Sequence, residues 1–317
     1  MSKNDIPASP QDDAARAGWL YYVGGMTQDQ IAAELGVSRQ RAQRLVSRAM
    51  AEGLIHVRLD HKIGACMELE AALTRKFGLQ TCRVAPGLGL GADGNRAIAA
   101  LAASVMERFL QRPEPLIIAL GTGRAMRAMV DALTPIEAEQ HRLVSLVGNI
   151  APDGSASYFD VIMRIADNIR APHYPMPVPV ISDTPEERAI FHGLRAVLNV
   201  FDLARSANVT FLGVGQMGDD APMCKDGFVT KAQLAEMQRL GAIGEMVGWV
   251  FDSAGRYIDV GISERVGGLR VEPDSSAQVI GLAAGPNKVA ATRAALSGRI
   301  LNGLITDEHT ATALLAR

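Results

Sequence analysis

Six short apolar runs recur along the chain: Thr81 to Ala85, Leu116 to Leu120, Leu143 to Val147, Val178 to Ile181, Val209 to Val214 and Val279 to Ala283. Between them lie stretches with helical character, among them Arg96 to Leu110, Arg124 to Leu133, Tyr158 to Ile169 and Lys288 to Leu296. Continuous apolar strands separated by helices bury both strand faces, which predicts a mostly parallel sheet covered on either side. The fold class is therefore α/β. The Pro-rich segment His173 to Val180 fits an extended connection or an edge strand, because proline removes ladder donors. A chain of 317 residues has room for about two domains.

Composition narrows the class further. Hydrophobic residues make up 48% and charged residues 21%, too apolar a mixture for disorder. The net charge is −2, from 32 basic and 34 acidic residues. Any nucleic-acid site must then be a local patch rather than a global field. Cys66, Cys82 and Cys224 form no CxxC pair, which predicts free thiols in a reducing cytoplasm and neither disulfide nor zinc site. The first dozen residues lack the apolar run of a secretory signal, and no stretch reaches 18 uninterrupted apolar residues, as a membrane span would need. No metal or cofactor is expected.

The N-terminal part reads differently from the rest. Residues 1–13 are expected to be a disordered tail, residues 14–60 a DNA-binding domain, and residues 61–317 an effector and oligomerisation domain. Ala14 to Val23 reads as a helix with a Trp19, Leu20, Tyr22, Val23 cluster, stopped by Gly24-Gly25. Thr27 and Gln30 form a capping box for a second helix, which Gly36 ends. Ser38 caps a third, running to about Glu52 with Gly53 as its stop. In that helix Ala42, Leu45, Val46, Ala49 and Met50 make one buried stripe. Arg39, Gln40, Gln43, Arg44 and Ser47 occupy the opposite arc, flanked by Arg41 and Arg48.

Two short helices joined by a tight turn, the second of them basic, are a helix-turn-helix. Arginine and glutamine present the forked or paired donors that read guanine and adenine edges in the major groove. Arg39, Gln40 and Gln43, early in the recognition helix, are the expected base readers, and Arg44 and Arg48 the phosphate contacts. Tyr22, Thr27, Gln28 and Ser38 complete the expected DNA-facing set. A merely solvated basic face is the competing reading, disfavoured because cap, turn, stripe and basic arc coincide. The alternation of Ile55, Val57 and Leu59 predicts a wing strand over residues 55–59.

In the larger domain, the run Leu116 to Leu120 turns through Gly121, Thr122, Gly123 and Arg124 into a helix. Such a turn leaves backbone N–H groups and the positive end of a helix dipole facing outward, where a phosphate can sit; glycine there can also serve the bend alone. Gly148 and Asn149, and Gly215 and Gln216, follow two further strands, and ligands of open α/β sheets collect at such ends. Lys288 lies at a helix start, unfavourable for a cation unless an anion is present; the bland alternative is a solvent-facing lysine.

The run AARAGWLYYVGGMTQDQIAAELGVSRQRAQRLVSRAMAEGLIHVRL resembles the helix-turn-helix of the SorC family of bacterial sugar-responsive transcriptional regulators. ALGTGRAM (from Ala119), GVGQMGDD (from Gly213), GAIGEMVGWVFDSAGR (from Gly241) and GLAAGPNKVAATRAALSGRILNGLITDEHTA (from Gly281) resemble that family's effector domain in order and spacing. The resemblance implies operator DNA and a sugar or polyol effector, expected to be phosphorylated, as partners, and a dimer or tetramer. It implicates Lys288 and Asp252 in holding the sugar phosphate, with Glu245 a weaker candidate for a sugar hydroxyl. Ala284-Gly285 stands where the family usually has Gly-Gly. The family's effector fold is similar to sugar-phosphate isomerases and glucosamine-phosphate deaminases, so an enzyme with an accessory N-terminal domain is the alternative. Against it, the GxGxDGH-type signature of those enzymes is absent, since Gly213 to Asp220 contains no histidine.

Overall fold

The computed structural model describes residues 9–55, 63–89, 91–156 and 161–316. The chain divides into two compact units, residues 1–60 and 61–317.

The first unit is built on three helices, α1 (Pro10–Tyr22), α2 (Gln28–Leu35) and α3 (Arg39–Ala51). Each begins on a side-chain cap. Thr27 accepts from the Gln30 N–H while Gln30 bonds back to the Thr27 N–H, and Ser38 accepts from the Arg41 N–H. Gly36 ends α2 at φ 63°, a conformation that costs residues with a Cβ. Ala14, Ala17, Ile31, Ala32, Ala42, Leu45, Val46 and Ala49 form the core. Gly18 is required where α1 crosses α3, since a Cβ there would overlap Ile55.

Three expectations change. The first helix starts at Pro10 rather than Ala14: the Ser9 Oγ accepts from the Asp12 N–H at 3.1 Å and Asp12 Oδ2 accepts from the Ser9 N–H at 2.8 Å. Ser, Pro and Asp, which read as tail, are also the residues of a capped helix start. The apolar cluster of α1 is largely outside the core, with Trp19 and Val23 each 62% exposed. Met50 is only half-buried. The wing expected over residues 55–59 lies outside the described residues beyond Ile55, as do residues 158–160 of the helix expected from Tyr158.

The second unit is an α/β domain around a seven-stranded sheet: β1 (Thr81–Ala85), β2 (Ile117–Leu120), β3 (Arg142–Ile150), β4 (His173–Pro179), β5 (Val209–Gly213), β6 (Gln278–Leu282) and β7 (Gly303–Asp307). The order across the sheet is β1-β7-β6-β5-β2-β3-β4, and every neighbouring pair is parallel. Alternate side chains leave opposite faces. After α4 (Gly64–Phe77), which leads into β1, come α5 (Gly94–Leu110) and α6 (Arg124–Asp131), with which Ile118, Leu120, Phe211, Ile280 and Leu282 pack. Ala119, Leu212 and Val279 belong to the clusters of the other face. The Pro-rich segment is the edge strand β4.

β7 was not legible as a strand. It is short and ends in Thr306 and Asp307, both buried; Asp307 caps the next helix by accepting from the Thr310 N–H at 2.9 Å.

Gly148, expected at the ligand, has a packing role instead. A Cβ there would overlap the Val178 and Pro179 carbonyl oxygens of β4. Gly148→Ala is expected to lower stability by about 1–3 kcal/mol, the usual cost of overpacking against groups that cannot move aside. Urea denaturation checks this, and an unchanged midpoint would contradict it.

Candidate functional site

The connections from β2 run outward through β3 to β4, whereas β5, beside β2 on its other side, is followed in the opposite direction by β6 and β7. The carboxyl ends of β2 and β5 therefore flank the point where the winding reverses, the place where open α/β sheets bind ligands. A cleft of about 430 Å³ opens there, lined among others by Thr122, Gly123, Arg124, Gly215, Gln216, Glu245 and Lys288. That volume lies within the range of small-molecule sites.

Local sequence shapes each wall. Gly121 packs so closely on β5 that a Cβ would meet Leu212, and its N–H donates to the Phe211 carbonyl at 2.7 Å. Gly123 has φ 118° and precedes α6 without any side-chain cap. The dipole at the N-terminus of α6 favours an anion there. Arg124, the first residue of α6, forks onto Asp226, with Nη2 2.8 Å from Oδ1 and Nη1 3.3 Å from Oδ2. Gln216 donates to Asp220 Oδ1 at 2.8 Å.

Lys288 follows Gly285, whose φ of 112° turns the chain into the helix Val289–Ser297. Its Nζ reaches back to the Val214 carbonyl at 2.8 Å. Burial holds this ammonium below its usual value, opposed by the charge of Glu245. Glu245 sits on an antiparallel strand, Gly244–Met246, which pairs with Gly215–Gln216 on one side and Trp249–Phe251 on the other. Gly215 makes room for it, since a Cβ there would overlap the carboxylate.

Burial also lifts the Glu245 carboxyl above the usual 4.5, with the Gly248 N–H and Lys288 pulling it down. Ionised Glu245 thus costs the folded state stability: the cost is absent below the ordinary value, grows as pH rises from there to the raised value, and is complete above it. Glu245→Gln is expected to gain stability relative to wild type as pH goes from about 4 to about 7. Denaturation midpoints at the two pH values test this, and a pH-independent difference would contradict it.

Comparison with known proteins follows the same division. A family model described as "Putative sugar-binding domain" matches residues 61–316, and a MarR family model matches residues 17–62. The erythritol catabolism regulatory protein EryD of Brucella abortus (strain 2308) is 35% identical over 304 residues, 96% of either chain. The transcriptional regulator LsrR of Escherichia coli O9:H4 is 31% identical over 325 residues, 99% of either chain. The chain belongs to the SorC family of sugar-binding transcriptional regulators. The full-length sorbitol operon regulator SorC from Klebsiella pneumoniae superposes with a TM-score of 0.73 at 25% identity, covering 99% of this chain and 100% of that one. A DeoR family regulator from Listeria monocytogenes, 18% identical with a TM-score of 0.72 over 79% of this chain and all of that one, shares the fold. This SorC-family regulator is thus a helix-turn-helix DNA-binding protein with a sugar-binding α/β domain, and its named relatives are regulators, not isomerases or deaminases.

The expected effector residues do not all meet at the cleft. Thr122, Gly123, Arg124, Gly215, Gln216, Glu245 and Lys288 line it, while Gly121, Gly148, Asn149 and Asp252 do not. Asp252 instead closes its own turn, accepting from the Ala254 and Arg256 N–H groups at 2.9 Å each and from the Arg256 guanidinium at 2.8 and 3.0 Å. The acid of this hairpin that reaches the cleft is Glu245. Sequence reasoning missed Asp93 and Asn95 at the start of α5, and Asp220, Lys225 and Asp226. The Gly-Ala-Asp-Gly-Asn run at 91–95 was a signal for the first two, with Asp93 capping α5 through the Asn95 N–H at 3.0 Å. Nothing in the sequence points Asp226 at Arg124. Two of the histidines are spent on the fold: His141 accepts from the Leu116 N–H at 3.0 Å, and His192 meets the Gly267 carbonyl at 3.1 Å.

On α3, Arg39, Gln40, Gln43, Arg44 and Arg48 are all exposed, as are Tyr22, Thr27 and Ser38; Gln28 is half-buried. Arg48 donates to Glu52 at 2.6 Å and Arg39 lies 3.4 Å from Asp29. Exposed pairs like these are worth about 0.3–0.5 kcal/mol, so a DNA phosphate can displace them.

Proposed function

We propose that this regulator acts in the cytoplasm on a carbohydrate or polyol catabolic operon, and that a phosphorylated sugar or sugar alcohol in the cleft sets its operator affinity. One observation carries the effector reading: the positive end of α6, Arg124 and Lys288 converge on one cleft at the switch point of the sheet. The polyol class is supported by two similar proteins, one named for erythritol catabolism and the other for a sorbitol operon. Thr122 and the α6 amides take the phosphoryl group, Lys288 closes over it, and Glu245 and Gln216 accept from or donate to hydroxyls.

Arg39, Gln40 and Gln43 read base edges, while Arg44 and Arg48 grip phosphates. A single helix-turn-helix covers only a few base pairs, so the protein works as a dimer or tetramer on repeated half-sites.

A thermal-shift screen of tetritol and hexitol phosphates tests the effector. A ligand at about 100 times its dissociation constant adds about 2.7 kcal/mol. The same ligand must change operator affinity, and a compound that stabilises the protein but leaves DNA binding untouched would refute the regulatory role.

A further inference from the structure

The cleft is rich in ions that already satisfy one another. Its described lining carries three cations, Arg124, Lys225 and Lys288, and four acids, Asp93, Asp220, Asp226 and Glu245. An entering anion meets net repulsion unless a cation is turned from its internal partner toward it. Lys225 Nζ lies 3.3 Å from Asp220 Oδ2, and Lys288 faces the charge of Glu245. The Arg124–Asp226 fork is the best formed of the three.

Asp226 is delivered to this place by a tight turn. It follows the short helix Pro222–Lys225, its N–H donates to the Pro222 carbonyl at 2.8 Å, and Gly227 takes φ 80° just after it. Its side chain is 18% exposed, against 45% for Arg124. A carboxylate forked on a guanidinium at a helix start occupies the donors that a phosphoryl group would use.

We propose that Asp226 is an internal counter-anion, and that the phosphoryl group of the effector displaces it from Arg124. This rests on the phosphorylated-effector reading above. Asp226 sets the concentration at which the regulator responds, because binding includes the work of opening the Arg124–Asp226 pair. It also selects charge: a neutral polyol has no group that replaces a carboxylate on a guanidinium. The competing role is a brace that holds Arg124 in the orientation a ligand needs, and the two roles give opposite signs on substitution.

The test is calorimetric titration of the full chain with inorganic phosphate, and separately with erythritol as a neutral probe. Wild type, Asp226→Asn and Asp226→Ala are compared; if the asparagine variant fails to fold, the alanine variant carries the comparison. Loss of a partly exposed forked pair is expected to tighten phosphate binding about fivefold and to leave erythritol binding unchanged. Phosphate affinity that falls or stays constant in variants melting like wild type, while wild type binds phosphate, overturns this role of Asp226 and leaves the effector reading standing. Phosphate binding to none of the three proteins overturns both.

Discussion

Replacing Lys288 by alanine is expected to abolish effector control of operator binding. Its ammonium donates to the Val214 carbonyl at 2.8 Å and lines the same cleft as Glu245, whose charge acts on it. The substitution removes the half-buried cation that a phosphoryl group needs and one of the two groups that favour the Glu245 charge. A ligand can shift a regulator only through differential affinity for its two states. A coupling of about 1–3 kcal/mol corresponds to a change of about 5–150-fold in operator affinity. In Lys288→Ala that ratio should fall to near one, with the ligand-free variant as its own reference. Thr122→Val, which deletes one hydroxyl and keeps the turn, should reduce the response less. The measurement is operator affinity with and without the effector found in the screen. A wild-type response from Lys288→Ala would place the effector elsewhere.

The second large effect is expected on α3. Gln40 is exposed in its first turn, the part of a recognition helix nearest the bases. Gln40→Ala should cost about 1–3 kcal/mol on the preferred operator and relax preference at one base position, because a paired amide contact to a base edge is lost. Arg44→Ala should instead weaken all DNA alike and reduce the slope of log affinity against log salt by about one, the signature of one lost phosphate contact. Arg44 is the more informative variant than Arg48, whose guanidinium is already held by Glu52. A systematic binding selection separates the two behaviours. Unchanged sequence preference in Gln40→Ala would show that α3 is not docked by its first turn.

What the residues determine by themselves is local. The Thr27–Gln30 box, the Ser38 cap and the Gly36 stop act over three or four residues, so the helix-turn-helix was legible before any fold was known. The same short range hid the Ser9–Asp12 box, whose Pro and Asp also suit a tail. Five of the seven sheet strands were legible as apolar runs; the edge strand β4, His173–Pro179, meets its run Val178 to Ile181 only at Val178 and Pro179 and is marked by its prolines instead. β7 was not legible, since its buried Thr306 and Asp307 are polar, and the Asp307 carboxylate is spent on capping the next helix. Tertiary structure alone decided the order of the strands, and with it the switch point that brings Thr122 beside Gly213. It also separated Glu245 from Asp252: the first is aimed into the cleft by the pairing of its strand, and the second is consumed by its own turn. Arg124 meets Asp226 across 102 residues and Lys288 meets Val214 across 74. Contacts of that span leave no periodicity or cap in the sequence, because the chain between them is free to be anything that folds.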